Sequence, residues 1–145
     1  MANTEIIDRR EGGAPRRKDD ALLRALYDNA SDAILIVADD GRYADANPAA
    51  CALLGYSHAE LLQLSVWDLT PASHRPQAEA RWRQFDAAGQ QSGEYSLQRK
   101  GGTMVEVEYR AVADFIPGLH LSILCDITRR KEAETALQSS EAQYR

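Results

Sequence analysis

Few residues in this chain could do chemistry: Cys51 and Cys125, His58, His74 and His120, and the acids Asp39, Asp40 and Asp45. A thiol nucleophile needs a histidine base and an orienting group beside it. Cys51 instead lies in Ala-Ala-Cys-Ala-Leu-Leu and Cys125 in Ser-Ile-Leu-Cys-Asp, so both are expected to be buried small hydrophobes. The histidines share no spacing that would gather them on one metal ion. Gly101-Gly102 has the form of a hairpin turn rather than a phosphate loop, because no helix follows it. Asp39-Asp40-Gly41 is accounted for by a tight turn. No catalytic residue and no metal site are therefore expected, and the reading is a regulatory domain rather than an enzyme.

Aromatic residues are the remaining candidates. Trp67, Trp82, Phe85 and Tyr95 could stack on a planar ligand such as a flavin, although helical spacing of aromatics usually means core packing. The frame around them is small. With 145 residues, 44% hydrophobic and 27% charged, the chain has material for one domain with a sizeable core and short flanks. A complete kinase or cyclase beside a sensor does not fit that length. A net charge of −5 and a pI near 5.2 argue against nucleic acid as a partner. The longest apolar runs, such as Ala33 to Ala38, are far too short to span a bilayer, so no membrane contact is expected of this segment. The polar start, with Asn3, Glu5 and Asp8, does not resemble a secretion signal, and the expected compartment is the cytoplasm.

Positions 1–20 are polar and lack an apolar period, which predicts a flexible lead-in. Leu22, Leu23, Leu26 and Ala30 then mark an amphipathic helix over 21–31. A β-branched strand from Ala33 to Ala38, the Asp-Gly turn and a strand at Tyr43 to Ala46 follow. Asn47-Pro48 starts a short helix ending at Gly55, and Ser57-His-Ala-Glu60 has the capping-box form of a second. Thr70-Pro71 leads to the one substantial middle helix, with Pro76 favouring a start near Ser73 and Gly89 closing it. From Glu94 the period becomes two, giving strands around Tyr95 and Leu97, Val105 to Ala111, and Leu119 to Cys125. After Thr128 a run free of Gly and Pro predicts a continuous helix. Ala133, Leu137, Ser140 and Tyr144 are spaced along it as a heptad seam.

From about Leu22 to Thr128 the chain resembles the PAS sensory domain family. The residues that carry the likeness are Ala33-Ile-Leu-Ile-Val-Ala-Asp-Asp-Gly-Arg42, Asn47-Pro48-Ala49-Ala50 with Leu54-Gly55-Tyr56-Ser57, Arg99-Lys100-Gly101-Gly102-Thr103, and Asp126-Ile127-Thr128-Arg129-Arg130. The last is similar to the junction that leads from a PAS sheet into an output helix. The segment from Ser139 to Arg145 resembles the opening of a following repeat, so the expected parent is a longer receptor with a C-terminal output domain.

The resemblance implies an α+β fold: a five-stranded antiparallel sheet in the order 2-1-5-4-3, short helices over one face, a PAS domain over 32–128, and flanking helices that include a signalling linker over 129–145. It implies a pocket between helices and sheet, with Ile34, Ile36, Asn47, Trp67, Leu69, Trp82, Phe85, Tyr95, Leu97, Val107, Tyr109 and Ile123 as candidate lining. Asn47, Tyr109 or Ser122 would supply polar contacts to a small organic ligand. The haem-binding pattern of the family puts Ala78 at the axial position, and alanine cannot ligate iron. His74, a turn earlier, has the setting of a surface residue, so haem is not expected. The family's photoreactive cysteine is absent from Gln63 to Asp68, so cysteinyl-flavin chemistry is not expected either. A non-covalent flavin, a small apolar ligand and an empty pocket stay open, and no cofactor is the favoured reading.

As relay residues the resemblance implies Asp126, Ile127 and Thr128; Leu22, Leu23 and Leu26, on their short stripe, are candidate contacts of a homodimer or a lid on the outer sheet face, and Leu137 of the heptad seam is a further dimer candidate. The function implied is a sensory and dimerisation module, with a histidine kinase as the favoured output. The alternatives are a diguanylate cyclase or phosphodiesterase receptor, or a ligand-free protein–protein interaction domain.

Overall fold

The computed structural model describes residues 18–143, with side chains described through 139. Most of the lead-in expected over 1–20, Tyr144 of the seam, and the side chain of Ser140 lie outside the described residues. Helix α1 occupies 18–29 and is followed by the hairpin β1 (Ala33–Ala38) and β2 (Tyr43–Ala46). Three short helices, α2 (Pro48–Leu54), α3 (His58–Leu61) and α4 (Val66–Leu69), lead through a 3-10 turn at Ala72–His74 into α5 (Arg75–Ala88). Strands β3 (Gln90–Gln98), β4 (Met104–Ile116) and β5 (Leu119–Asp126) complete the sheet, and α6 (Thr128–Gln143) leaves it. The sheet order is β2-β1-β5-β4-β3 with every neighbouring pair antiparallel, as the family resemblance implies.

Alternation along the strands explains which face is covered. Val105, Val107 and Tyr109 are buried while Glu106 and Glu108 face outward, and Ala33, Leu35 and Val37 are buried while Ile34 and Ile36 are only half-buried. The register carries this inward row across the sheet: Leu35 lies opposite Ser122, Ser122 opposite Ala111, and Ala111 opposite Gln91. Leu54, Leu61 and Leu69, one from each short helix, are wholly buried against that face.

The caps that set these helices are local. Asn47 accepts from the Ala50 amide, and Ser57 with Glu60 forms the reciprocal capping box. Asp68 starts α4 in a related way, its carboxylate accepting from both the amide and the hydroxyl of Ser65, and α4 is a helix that the sequence does not predict. Thr70, expected to start the middle helix, instead donates its hydroxyl to the Val66 carbonyl and closes α4. The later start of α5 is observed, with Pro76 in its first turn where no intrahelical amide bond is lost.

Glu60 also pairs with Lys100 of the β3–β4 hairpin at 2.6 Å, tying α3 to the sheet edge. Hydrogen bonding from Lys100, helped by the Ser57 amide, holds its carboxyl well down, at about 2. A carboxyl depressed on folding contributes stability that is present above its unfolded value and is lost as pH falls through the folded one. In Lys100→Met, the Glu60 titration followed by carboxyl NMR should move up towards the ordinary range of about 4.3. The stability gap from the parent should close as the pH approaches 2. A Glu60 midpoint unmoved by the substitution would remove the ion pair from this account.

The two cysteines depart from expectation in different degrees. Cys51 is half-buried, and burial pushes its thiol up, away from reactivity. Cys125 is exposed, because it stands one residue past the inward-facing Leu124 near the end of β5.

Candidate functional site

Between the sheet and α5 lies a half-open cavity of about 150 Å³. Ala78, Arg81, Trp82 and Phe85 come from one face of α5 at helical spacing. Val66 and Trp67 of α4, with Thr70 just beyond, close one end, and the inward residues of β1, β3, β4 and β5 form the floor. The walls are mostly rings. Trp67 and Trp82 lie 5.7 Å apart between centroids, Trp82 and Phe85 5.9 Å, and Tyr95 and Tyr109 6.4 Å, in tilted or edge-to-face arrangements.

Gly41 sets the position of Trp67. At φ +86° it takes a conformation that side chains resist, and a Cβ there would stand 2.9 Å from the indole Nε1. The β1–β2 turn therefore supports the cavity wall from behind.

Two polar groupings stand out in the lining, which also carries Thr70 and Ser122. His120 is buried at 3% exposure, its ring set edge-on to Trp82 and Phe85 at 5.7 and 5.5 Å. Its Nδ1 accepts from the Asp114 amide at 3.0 Å, which leaves Nε2 to donate to Asp39 at 2.9 Å. Asp39, Asp114 and His120 thus form a bridged cluster whose imidazole nitrogens are both engaged, leaving neither for an iron in the cavity. The second feature centres on Arg81. Its guanidinium donates to the Tyr109 hydroxyl at 2.7 Å, that hydroxyl donates to Gln91 at 3.0 Å, and the Gln91 amide returns to the Arg81 carbonyl at 3.4 Å.

Of the expected lining residues, Trp67, Trp82, Phe85, Tyr95, Leu97, Val107 and Tyr109 face the cavity, as does Ser122. Ile34, Ile36 and Ile123 do not. Ile34 pairs with Ile123 in register, and all three alternate with the inward row, which puts them on the opposite sheet face. Leu69 is wholly buried but belongs to the packing beneath α4.

Asn47 has no group left for a ligand. Its Oδ1 accepts from the Ile34 and Ala50 amides, and its Nδ2 donates to the Tyr27 and Asp32 carbonyls. Arg81, Gln91 and His120 line the cavity without being among the lining residues the sequence suggests. Arg81 follows Ala78 by three residues on the same helix face, and that spacing is the signal that could have found it.

The junction after β5 is bound to β4. Asp126 Oδ1 accepts from the Thr128 amide at 2.9 Å as a cap, and the Ile127 amide donates to the Glu106 carbonyl at 2.9 Å. The Thr128 hydroxyl accepts the Glu106 amide at 3.2 Å. Burial alone would raise the Asp126 carboxyl, but hydrogen bonding from Thr128 and the nearby Arg99 hold it below the usual range. Further on, Arg130 pairs with Glu94 and Glu108, and Lys131 with Glu94, on the outer face of β3 and β4. Leu22, Leu23, Leu26 and Leu137 are each about 60% exposed. Among the described residues no helix is long and apolar enough to cross a membrane.

A ring-lined cavity between a helix and an antiparallel sheet, with the last strand running directly into an exit helix, defines a pocket-bearing α+β domain of the sensory type. A family model described as PAS domain matches residues 31–129, and the chain belongs to that family.

The chain is 28% identical over 127 residues to sporulation kinase E of Bacillus subtilis (strain 168), a match covering 88% of this chain and 17% of the kinase. It is 30% identical over 126 residues to the sensor histidine kinase TmoS of Ectopseudomonas mendocina, covering 81% of this chain and 13% of that protein. The chain therefore spans less than a fifth of the curated relatives it matches. A solved domain of a sensory box sensor histidine kinase/response regulator from Geobacter sulfurreducens superposes with a TM-score of 0.67 at 29% identity, over 74% of this chain and 94% of that domain.

Proposed function

We propose that this PAS domain is the sensory and dimerisation module of a signal-transduction receptor, most simply a sensor histidine kinase, and that it passes a change in the cavity into α6. The observation that carries the reading is the double use of β4. Val107 and Tyr109 form cavity floor, while Glu106 on the same strand holds the main chain of Ile127 and the hydroxyl of Thr128. Glu108, on the same outward row, holds Arg130 of α6. A shift of β4 against α5 is thereby a shift of the helix anchor, and a small displacement at a bistable packed element is what relays of this kind use. The exposed leucines of α1 and α6 are the surfaces proposed to meet their copies in a homodimer.

A cavity of about 150 Å³ takes one ring of roughly benzene size. The three fused rings of a flavin would require α5 to move outward. The ligand supported best is a small organic molecule, and native mass spectrometry with an absorbance spectrum of the purified chain would register either.

Asp126→Ala and Thr128→Val in the parent receptor test the relay. The first removes the cap and the second the oxygen that accepts from Glu106. Each should cost about 1 kcal/mol of stability and leave the fold intact, yet abolish the dependence of output on stimulus. Regulation that persists in both variants would overturn the β4 route.

A further inference from the structure

We infer that the cavity ligand is a small carboxylic acid with an apolar, ring-sized body, and that Arg81 is the residue that receives its carboxylate; this rests on the cavity being a ligand site, as proposed above. Arg81 stands in the cavity wall with none of the ion pairs among the described residues involving it. Arg81 is half-buried, and its hydrogen bonds and ring contacts are to neutral groups. Its guanidinium lies over the Tyr95 ring at 4.6 Å and near the Tyr109 ring at 5.5 Å, and it donates to the Tyr109 hydroxyl.

A cation in a mostly apolar wall is disfavoured unless it is compensated. Ring faces compensate in part. A guanidinium has five N–H donors in a planar fork, and a carboxylate is the partner that matches two of them at once.

The hydrogen-bonded loop through Tyr109 and Gln91 returns to the Arg81 carbonyl, so the side chain is held in place without being neutralised. Tyr109 is a positioning residue in this arrangement. Gly93 keeps the approach open. It lies opposite Tyr109 in the sheet, and a Cβ there would stand 3.8 Å from Arg81 Nη2 and from the Tyr109 hydroxyl. That is ordinary contact distance, so a branched side chain at this position would lie against the fork. The volume of about 150 Å³ and the ring walls set the body of the ligand, and the fork sets its head.

Trp67 and Trp82 are the only tryptophans of the chain and both line the cavity, so intrinsic fluorescence reads its occupancy. The complete 145-residue chain is titrated with benzoate and with toluene, the same ring without the charge. Benzoate should bind, and Arg81→Met should weaken it roughly ten- to a hundredfold, the range for a charge-assisted hydrogen bond. Toluene affinity should stay within about twofold. Gly93→Val, which leaves Arg81 in place, should weaken benzoate in the same way and guards against an Arg81→Met variant that fails to fold. Toluene binding without benzoate binding, or equal benzoate affinity in the parent and both variants, would overturn the carboxylate assignment while the cavity reading stands. Binding of neither probe would overturn both.

Discussion

Asn47→Ala is expected to lower the unfolding free energy of this domain by about 3–4 kcal/mol, read as a lower urea midpoint at constant slope. The side chain is wholly buried and uses its full hydrogen-bonding capacity: two amides into Oδ1 and two donations from Nδ2, at 2.9 to 3.1 Å. These partners belong to the end of α1, the segment before β1, the start of β1 and the first turn of α2. Loss of an N-cap alone costs about 1 kcal/mol. The larger figure comes from taking a partner from four main-chain groups at once, one bond buried and three part-buried. Asn47→Asp separates the contributions. It keeps the acceptor for both amides but places a second oxygen against the Tyr27 and Asp32 carbonyls, so its loss should persist at neutral pH. A loss of less than about 1 kcal/mol for Asn47→Ala would mean that water or a local shift replaces the network.

His120→Leu is expected to cost about 2–3 kcal/mol, because volume is roughly kept while both hydrogen bonds are lost. The Asp114 amide is the group most affected. Asp114 sits at φ 51° where β4 breaks register between Val112 and Ile116, a conformation uncommon outside glycine, and His120 Nδ1 holds it there. Asp114→Gly should recover part of the loss in the double variant, since glycine takes positive φ without penalty. His120→Leu should also alter Trp82 fluorescence, because the imidazole stands perpendicular to that ring at 5.7 Å. A stability change within about 0.5 kcal/mol, with Trp82 unaffected, would show that the bridge from Asp39 to Asp114 contributes little.

Much of the fold is legible in the residues. Asp40-Gly41, Asn47-Pro48 and Ser57-x-x-Glu60 act over three or four positions, so their outcomes are settled by neighbours in the chain. The reading fails where a local signal has two uses. Thr70-Pro71 has the form of a helix start, yet the Thr70 hydroxyl closes α4, because Ser65-x-x-Asp68 had already begun a turn there. Ile34, Ile36 and Ile123 are as apolar as Leu35 and Val37, and composition alone does not say which alternate set turns inward. The wall of the cavity on α5 is clearer, since Ala78, Trp82 and Phe85 share one helical face.

By itself, then, the sequence determined the order of the strands and of all helices but α4, the antiparallel sheet through its family likeness, and the junction at Asp126-Ile127-Thr128. Those properties follow from short-range periodicity and capping, which require no knowledge of distant partners. Only the tertiary structure decided which face of β1 and β5 is inner, where Arg81 and His120 point, and that Glu106 ties the exit helix to the strand flooring the cavity. Arg81 meets Tyr109 across 28 positions and Glu106 meets Thr128 across 22, and such pairings are set by strand register and helix packing. A polar side chain on an amphipathic helix looks the same in sequence whether it faces water or the rim of a pocket, and only its folded surroundings distinguish the two.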